Sequence, residues 1–414
     1  MAVTVRCMIE IRMITESETD LFRSRVSRGF GGDADTDEAS AERFRAIFDY
    51  ERTIAAFDGD DIVGTAAGFS LGLTVPGGAE VPMAGTTVVT VQPTHRRRGV
   101  LRALMGHHLD DVAVRGEPLA GLWASESSIY GRFGYGPATF RYDAEFDAKD
   151  LAFVGESPEG TIRLLDADKV EPVLRSVYET ARVGRAGMLT RSQAWWTHRL
   201  MADPETWREG KSMKRYAVYE QDGSVEGYAK FRQKEKWDDF IAAGELDVIE
   251  VIVTSARAHT GLWRFLSNID LFPKVGWWNM AVDDPLPLKV SDGRRVFRKL
   301  VDGLWVRVMD IPTALTSRRY DSDGNLTFEV DDATRPANSG TYRLQVQDGV
   351  GSCESSPDEP LLRFGADVLG SLYLGGGDAV GLAAAGRIEG APESVSALHR
   401  MFRTDAPPWC PEVF

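Results

Sequence analysis

The sequence predicts two copies of one α/β domain followed by a smaller α+β domain. Three observations carry this. A strand, a tight basic turn and an amphipathic helix follow one another over residues 86–112. A hairpin followed by a further strand and a helix occurs twice, once from residue 53 and again from residue 216. From residue 303, short alternating strands precede two short helical stretches. The 414 residues are enough for two or three domains, each with its own core. The expected boundaries are 1–150, 151–302 and 303–414.

In the first copy, residues 53–69 alternate about the polar Asp58-Gly59 turn and read as a β-hairpin. The next strand, Thr86 to Val91, stops before Pro93. Arg96, Arg97, Arg98 and Gly99 form the turn, and Val100, Leu101, Leu104, Met105, Leu109 and Val112 mark the apolar face of a helix. The first N–H groups of a helix have no intrahelical partner, and with the helix dipole they favour an anion. Gly99 lets the backbone approach such an anion because it has no Cβ. The arginines add charge, so a phosphorylated cofactor suits the turn. A basic helix start on a solvated face has the same pattern. A short strand from Leu119 to Ala124 is expected beside Thr86–Val91, in parallel, across the helix.

The second copy repeats strand, Asp222-Gly223 turn and strand over residues 216–231, then a strand from Leu246 to Val253 and a helix from about Leu262. Its turn reads Ser255-Ala256-Arg257-Ala258-His259-Thr260-Gly261, without the triple arginine or the proline. Gly261 is expected near the helix start. The first copy is therefore expected to bind cofactor and the second to be structural or to shape the substrate site. In the third region, Leu304–Val308, Leu326–Val330 and Thr341–Val346 alternate as strands. Helices are expected at Gly365–Leu374 and Ala379–Ala385.

The net charge of −14 disfavours nucleic acid as a partner and is compatible with a cationic substrate. No apolar run approaches the roughly 20 residues that span a bilayer, and no signal-peptide pattern opens the chain. Cys7, Cys353 and Cys410 have no metal-binding spacing, and the histidines are scattered apart from His107-His108. The expectation is a reduced, cytoplasmic protein without a structural metal.

Arg96-Arg97-Arg98-Gly99-Val100-Leu101 resembles the acetyl-CoA loop of the GCN5-related N-acetyltransferases (Gln or Arg, any two, Gly, any one, Gly or Ala), with Leu101 departing from the small last residue. Residues 125–139, Ser-Glu-Ser-Ser-Ile-Tyr-Gly-Arg-Phe-Gly-Tyr-Gly-Pro-Ala-Thr, resemble the Eis branch of that superfamily, as does Thr94-His95-Arg96-Arg97-Arg98-Gly99 with its Leu101. The three-part layout also matches: tandem acetyltransferase domains, the second degenerate, then a sterol-carrier-like domain. The resemblance implies acetyl-CoA bound by the backbone of Val89, Thr90 and Val91 and by Arg97, Arg98, Gly99, Val100, Leu101 and Arg102, with Ser125 and Glu126 at its border. Splayed strands would admit the pantetheine arm. It implies Tyr130 as general acid, and a phenol of pKa about 10 suits protonation of a thiolate of pKa about 8.5. On pattern alone, Tyr130 and Tyr135 read equally as interior aromatics with satisfied hydroxyls.

The resemblance further implies that the α-carboxylate of Phe414 is the general base. The final residues, Ala-Pro-Pro-Trp-Cys-Pro-Glu-Val-Phe, are stiff and apolar. A docked tail with a solvated carboxylate is the other reading. Gly31 to Glu38 is acidic and either lines an amine-attracting cleft or forms a solvated loop. Glu412 is a candidate to hold an ammonium group. Family membership implies acetylation of primary amines, aminoglycosides among them, and a homohexamer. The rival expectation is a non-enzymatic lipid or acyl carrier that uses the C-terminal domain. A second rival transfers a longer acyl group.

Overall fold

The computed structural model describes residues 9–33 and 37–414; Cys7 and residues 34–36 of the acidic stretch lie outside them. The first sheet contains β1 (Glu10–Met13), β2 (Thr53–Asp58), β3 (Asp61–Thr74), β4 (Glu80–Val91) and β5 (Leu119–Trp123), side by side in that order. Helices α1 (Thr19–Gly29) and α2 (Glu38–Ile47) lie between β1 and β2, and α3 (Val100–Val114) connects β4 to β5. The two-residue loop Gly59-Asp60 closes the β2–β3 hairpin, with Gly59 at φ +63°. Val100 and Leu104 of α3 pack against Ile54, Val63 and Ala66 of the sheet. The strand expected at Thr86–Val91 begins earlier, at Glu80, because it continues the antiparallel ladder with β3 back to Thr74.

Neighbours are antiparallel except β4 and β5, whose parallel pairing covers only Met83↔Leu119, Ala84↔Ala120 and Gly85↔Gly121. Beyond Gly85 the two strands part, as the sequence expectation of splayed strands requires. The cause lies within β4. Its register with β3 runs Thr65↔Thr90 and then Ala67↔Thr87, so two residues of β4 oppose one of β3, a β-bulge. Val88 has φ +46°, a strained value for a β-branched residue. The Thr65 hydroxyl donates to the Val88 carbonyl at 2.7 Å and holds this conformation.

The second sheet has the order Phe297–Asp302, Phe140–Asp147, Lys274–Ala281, Glu245–Val253, Ser224–Lys234, Arg215–Gln221, Thr161–Leu165. Its hairpin turn, Asp222-Gly223, has both φ positive, +52° and +76°, as a type I′ turn demands. Glu245–Val253 and Lys274–Ala281 form the one parallel pair, in the place that β4 and β5 hold in the first sheet.

Leu304–Val308 corrects the reading of a third-region strand. It pairs antiparallel with β5, Leu304↔Trp123 to Val308↔Leu119, and so belongs to the first sheet. Reciprocally, Phe140–Asp147, which precedes the second copy in sequence, pairs with Lys274–Ala281 in the second sheet. The two α/β units thus exchange strands, each inserted next to the outermost strand of the other's sheet. The alternating pattern of Leu304–Val308 specifies a strand but not which sheet it joins.

The third sheet runs Val350–Ser355, Gly340–Gln347, Gly324–Asp331, Leu362–Gly365, Ile388–Gly390. The helices expected near 365–374 and 379–385 are present as Ala366–Tyr373 and Ala379–Ala384. Ala366–Tyr373 docks on the first sheet at close range: a Cβ on Gly370 would lie 2.0 Å from the Val306 carbonyl oxygen, and one on Gly136 1.9 Å from that of Asp367. Arg307 crosses this junction fully buried, paired with Asp332 at 2.6 Å and bonded to the Phe133 carbonyl.

Candidate active site

The basic turn opens on a cleft of about 850 Å³ between β4, α3 and the segment after β5. Arg97 and Gly99 have φ +62° and +86°, so the turn is left-handed at two residues. A Cβ on Gly99 would meet nothing within 4 Å. Backbone conformation, not crowding, therefore requires the glycine here. The amides of Val100, Leu101 and Arg102 precede the first intrahelical bond, Ala103 N–H to the Gly99 carbonyl at 3.0 Å. Val89, Thr90 and Val91 form one wall. Arg97, Gly99, Val100, Leu101 and Arg102 form another, with Ser125 and Glu126 opposite. Arg98 is exposed and is not among the lining residues. The side chains of Arg97, Arg98 and Arg102 make no hydrogen bond or ion pair with another described residue. His95, by contrast, is held by Asp58 at 3.0 Å. Unpartnered guanidiniums at a helix start fit the pyrophosphate of a CoA-type ligand.

Tyr130 ends the single helical turn Ser127–Tyr130 and is 6% exposed. It lines this cleft and also an adjoining one of about 380 Å³, and so sits where the two meet. Burial raises the pKa of its hydroxyl; the hydrogen bond with the Ser125 side chain pulls the other way without cancelling the shift. The phenol is therefore protonated throughout the physiological range. Tyr135 is the interior aromatic of the pair. Its hydroxyl bonds to Thr86 at 2.9 Å, Thr86 bonds to His108 at 2.7 Å, and burial pushes its pKa to about 12.

The tail returns from the third domain to this second cleft. The Trp409 N–H donates to the Ala186 carbonyl at 2.9 Å, and Asn279 Nδ2 donates to the Cys410 carbonyl at 3.1 Å. Pro408, Trp409 and Cys410 are buried, in keeping with the apolar tail expected. Arg199 donates to the Val413 carbonyl at 3.0 Å. The Phe414 ring packs edge-on to Phe69, with centroids 6.4 Å apart, and lies against Gly85, where β4 and β5 part. Phe414 and Tyr130 thus line one cleft although 284 positions separate them in sequence.

Glu412 corrects its expected role. It is 4% exposed and paired with Arg191, and it accepts from Trp195 Nε1 at 2.9 Å. Its charge anchors the tail and is not free for an ammonium group. Arg191 also pairs with Glu250. Burial works against the Glu250 charge, but Arg191 and Lys230 outweigh it and hold the carboxyl below the usual carboxylate range. In the acidic stretch, Asp37 caps α2 through the Ser40 amide at 3.1 Å and pairs with Arg43 at 3.5 Å.

The second copy lacks the anion site for a reason visible at its helix start. The helix spans Ala256–Ser267, earlier than expected, because Ser255 caps it through the Ala258 amide. Gly261 consequently lies inside the helix and packs on Tyr219, 2.5 Å from where its Cβ would be. Beside that helix start the Glu226 carboxylate accepts from the Ser255 hydroxyl at 2.6 Å and pairs with Arg257, the one arginine of this turn. These partners hold its carboxyl at about 2.

Sequence reasoning missed Val88, Arg191 and Arg199. No local signal marks them, since their hydrogen-bond and ion-pair partners are tens to hundreds of residues away, Thr65 for Val88, Glu250 and Glu412 for Arg191, and Val413 for Arg199. The Ser192 cap and the two tryptophans after it are the nearest hint at Arg191.

Comparison with known proteins places the whole chain in a family. Residues 10–138 and 187–308 match models described as acetyltransferase (GNAT) domains, and residues 311–411 match a sterol carrier protein domain. A Streptomyces avermitilis protein described as an uncharacterized N-acetyltransferase is 40% identical over 98% of this chain and 99% of its own length. The N-acetyltransferase Eis of Mycobacterium tuberculosis is 33% identical over 89% of this chain and 90% of its own. The crystal structure of Eis1 from Mycobacterium abscessus superposes with a TM-score of 0.84 at 29% identity, covering 98% of this chain and all of that one. Relatives in that superfamily draw their acetyl group from acetyl-CoA, which the cleft at the basic turn fits. The chain belongs to the Eis-like GNAT N-acetyltransferases: it is an acetyltransferase built of two GNAT domains and a sterol-carrier-like domain.

Proposed function

We propose that the N-terminal copy binds acetyl-CoA and transfers its acetyl group to a primary amine by direct attack. The observation that carries this reading is that Tyr130 and Phe414 line one cleft, which adjoins the cleft of the arginine turn. Acetyl-CoA supplies the electrophilic thioester carbonyl. Arg97 and Arg102, with the first amides of α3, hold its phosphates, and the gap between β4 and β5 takes its arm. The backbone at the bulge, Val89 above all, polarises the carbonyl. The Phe414 carboxylate takes the proton from the attacking nitrogen. Tyr130, oriented by Ser125, gives its proton to the departing sulfur, so that amine and thioester become amide and thiol with no net proton change.

Aminoglycosides are the acceptors that family resemblance implies, and the resemblance also implies a hexamer and a cytoplasmic setting. Mass spectrometry of an aminoglycoside after incubation with protein and acetyl-CoA tests the acceptor; sedimentation tests the assembly. The base is tested by appending one glycine after Phe414. Turnover should be abolished while acetyl-CoA still binds by calorimetry. Full activity in that variant rejects the terminal carboxylate as base.

A further inference from the structure

The bulge of β4 is held at two points. The Val88 side chain packs against the cluster of Phe22, Phe57 and Ile62, and its carbonyl accepts from the Thr65 hydroxyl at 2.7 Å. The Thr65 and Thr90 hydroxyls are also 2.7 Å apart. A hydroxyl has one proton, and that of Thr65 goes to Val88, so Thr90 is the donor between the two. The order is therefore Thr90 O–H to Thr65, then Thr65 O–H to the Val88 carbonyl. These groups are shielded from water. Thr65 is fully buried and Thr90 is 6% exposed. Gly29, the last residue of α1, packs on Thr90 so closely that a Cβ there would lie 2.6 Å from its side chain. In dry surroundings hydrogen bonds in a chain polarise one another.

The peptide group transmits this bond to the other side of the strand. The Val88–Val89 peptide is trans, so its N–H points opposite to its C=O. With the carbonyl drawn to Thr65 on β3, the Val89 N–H turns to the side of β4 from which β5 has parted. Val89 lines both the cleft at the basic turn and the cleft shared by Tyr130 and Phe414, whereas Thr65 lines neither. A β-branched residue at φ +46° persists only where its surroundings hold it. A bond accepted by a peptide carbonyl also strengthens the N–H of that peptide as a donor. We infer that Thr65 is a positioning residue for acetyl transfer: its hydroxyl sets the aim and strength of the Val89 N–H as donor to the thioester carbonyl oxygen. This rests on the proposed reading of Val89 as the group that polarises that carbonyl.

The test uses the full chain and acetyl-CoA isotope-labelled at the thioester carbonyl, whose stretch is read by infrared difference spectroscopy. No acceptor is needed. A hydrogen bond to the oxygen lowers the frequency, so the bound stretch should lie below that of free acetyl-CoA. Thr65→Ser keeps the hydroxyl and should keep the lowered stretch. Thr65→Val has the same shape without a donor, and its stretch should return most of the way to the free value. With kanamycin as acceptor, kcat should fall in parallel by about ten- to hundredfold, less than the loss of a whole oxyanion donor. The KM for acetyl-CoA should stay unchanged, because the loss is of transition-state stabilisation. Thr65→Cys, a weak donor, should fall between and replaces Thr65→Val if that variant does not fold. Thr53→Val is the control: it removes an equally buried hydroxyl, bonded to the Asp49 carbonyl at 2.7 Å in β2, and should move neither readout. If kanamycin is not acetylated, the stretch alone decides. A stretch in Thr65→Val equal to that of the unaltered protein overturns the inference and leaves the Val89 reading standing, as does an equal fall of kcat in Thr53→Val. A bound stretch in the unaltered protein equal to the free value removes Val89 as the donor, and the inference with it.

Discussion

Replacing Glu412 by Gln removes one charge from a buried cluster and leaves its shape almost unchanged. Arg191, Lys230, Glu250 and Glu412 carry two positive and two negative charges, and each is no more than 6% exposed. Arg191 lies between the two carboxylates, and Lys230 is 3.5 Å from Glu250. The substitution leaves one uncompensated positive charge. Breaking a buried pair from one side costs about 3–5 kcal/mol. Gln can still accept from Arg191 or from Trp195 Nε1, which places the expected loss nearer about 2–3 kcal/mol. Glu412 joins the tail to the second domain, so the loss falls on tail docking first. About 2–3 kcal/mol lowers a docking constant by roughly 30- to 150-fold. Turnover should fall with the fraction of tail docked, and by at most that factor. The KM for acetyl-CoA should change little, because Glu412 does not line the cleft at the arginine turn. For the second domain the same loss corresponds to a Tm lowered by roughly 4–12 °C. Steady-state kinetics and thermal unfolding followed by tryptophan fluorescence read both effects, since Trp195 and Trp409 contact the tail or belong to it. A variant that melts and turns over like the unaltered protein would refute the anchoring role.

Other expectations follow from single residues. Tyr130→Phe should lower kcat by about 10²- to 10⁴-fold with acetyl-CoA affinity preserved; an unchanged kcat would remove Tyr130 as the acid. Gly99→Ala forces a side chain into a left-handed turn at about 1–2 kcal/mol, and calorimetry should show acetyl-CoA binding weakened by about 5- to 30-fold; equal affinity would mean that the turn relaxes freely. His108 is buried beside Arg52, and burial lowers its pKa to about 4 against an ordinary 6.5. The folded state therefore resists protonation, so this contribution is complete above pH 6.5 and is lost as pH falls towards 4, at most about 3 kcal/mol. Urea unfolding at pH 7 and pH 5 should show a smaller acid-induced loss in His108→Gln than in the unaltered protein, and equal losses would contradict the assignment.

The basic turn of the candidate site was legible because its signals are local. A strand, a glycine in a left-handed turn, and free amides at a helix start lie within 15 residues, and periodicity with the glycine exposes them. The repeated hairpin was legible for the same reason: Asp-Gly turns and period-two alternation are short-range signals. The cleft shared by Tyr130 and Phe414 was not. Val88 gives no sign of its bulge, since the extra residue shows only against the β3 register. Gly261 looked like a helix start because glycine suits such places, whereas close packing on Tyr219 is what requires it.

The sequence by itself determined the order of the elements, the degenerate turn of the second copy, the stiff tail and the tyrosine segment. Each depends on residues within a turn or two of one another, where backbone preference and hydrophobic period act. Only the tertiary structure decided that Leu304–Val308 joins the first sheet, that Glu412 is spent on Arg191, that Arg199 holds the Val413 carbonyl, and that Phe414 and Tyr130 line one cleft. Strand pairing and buried charge pairing are settled by contacts between distant segments. An alternating strand or a lone charge carries no record of its partner, because the partner is chosen by the packing of the whole chain.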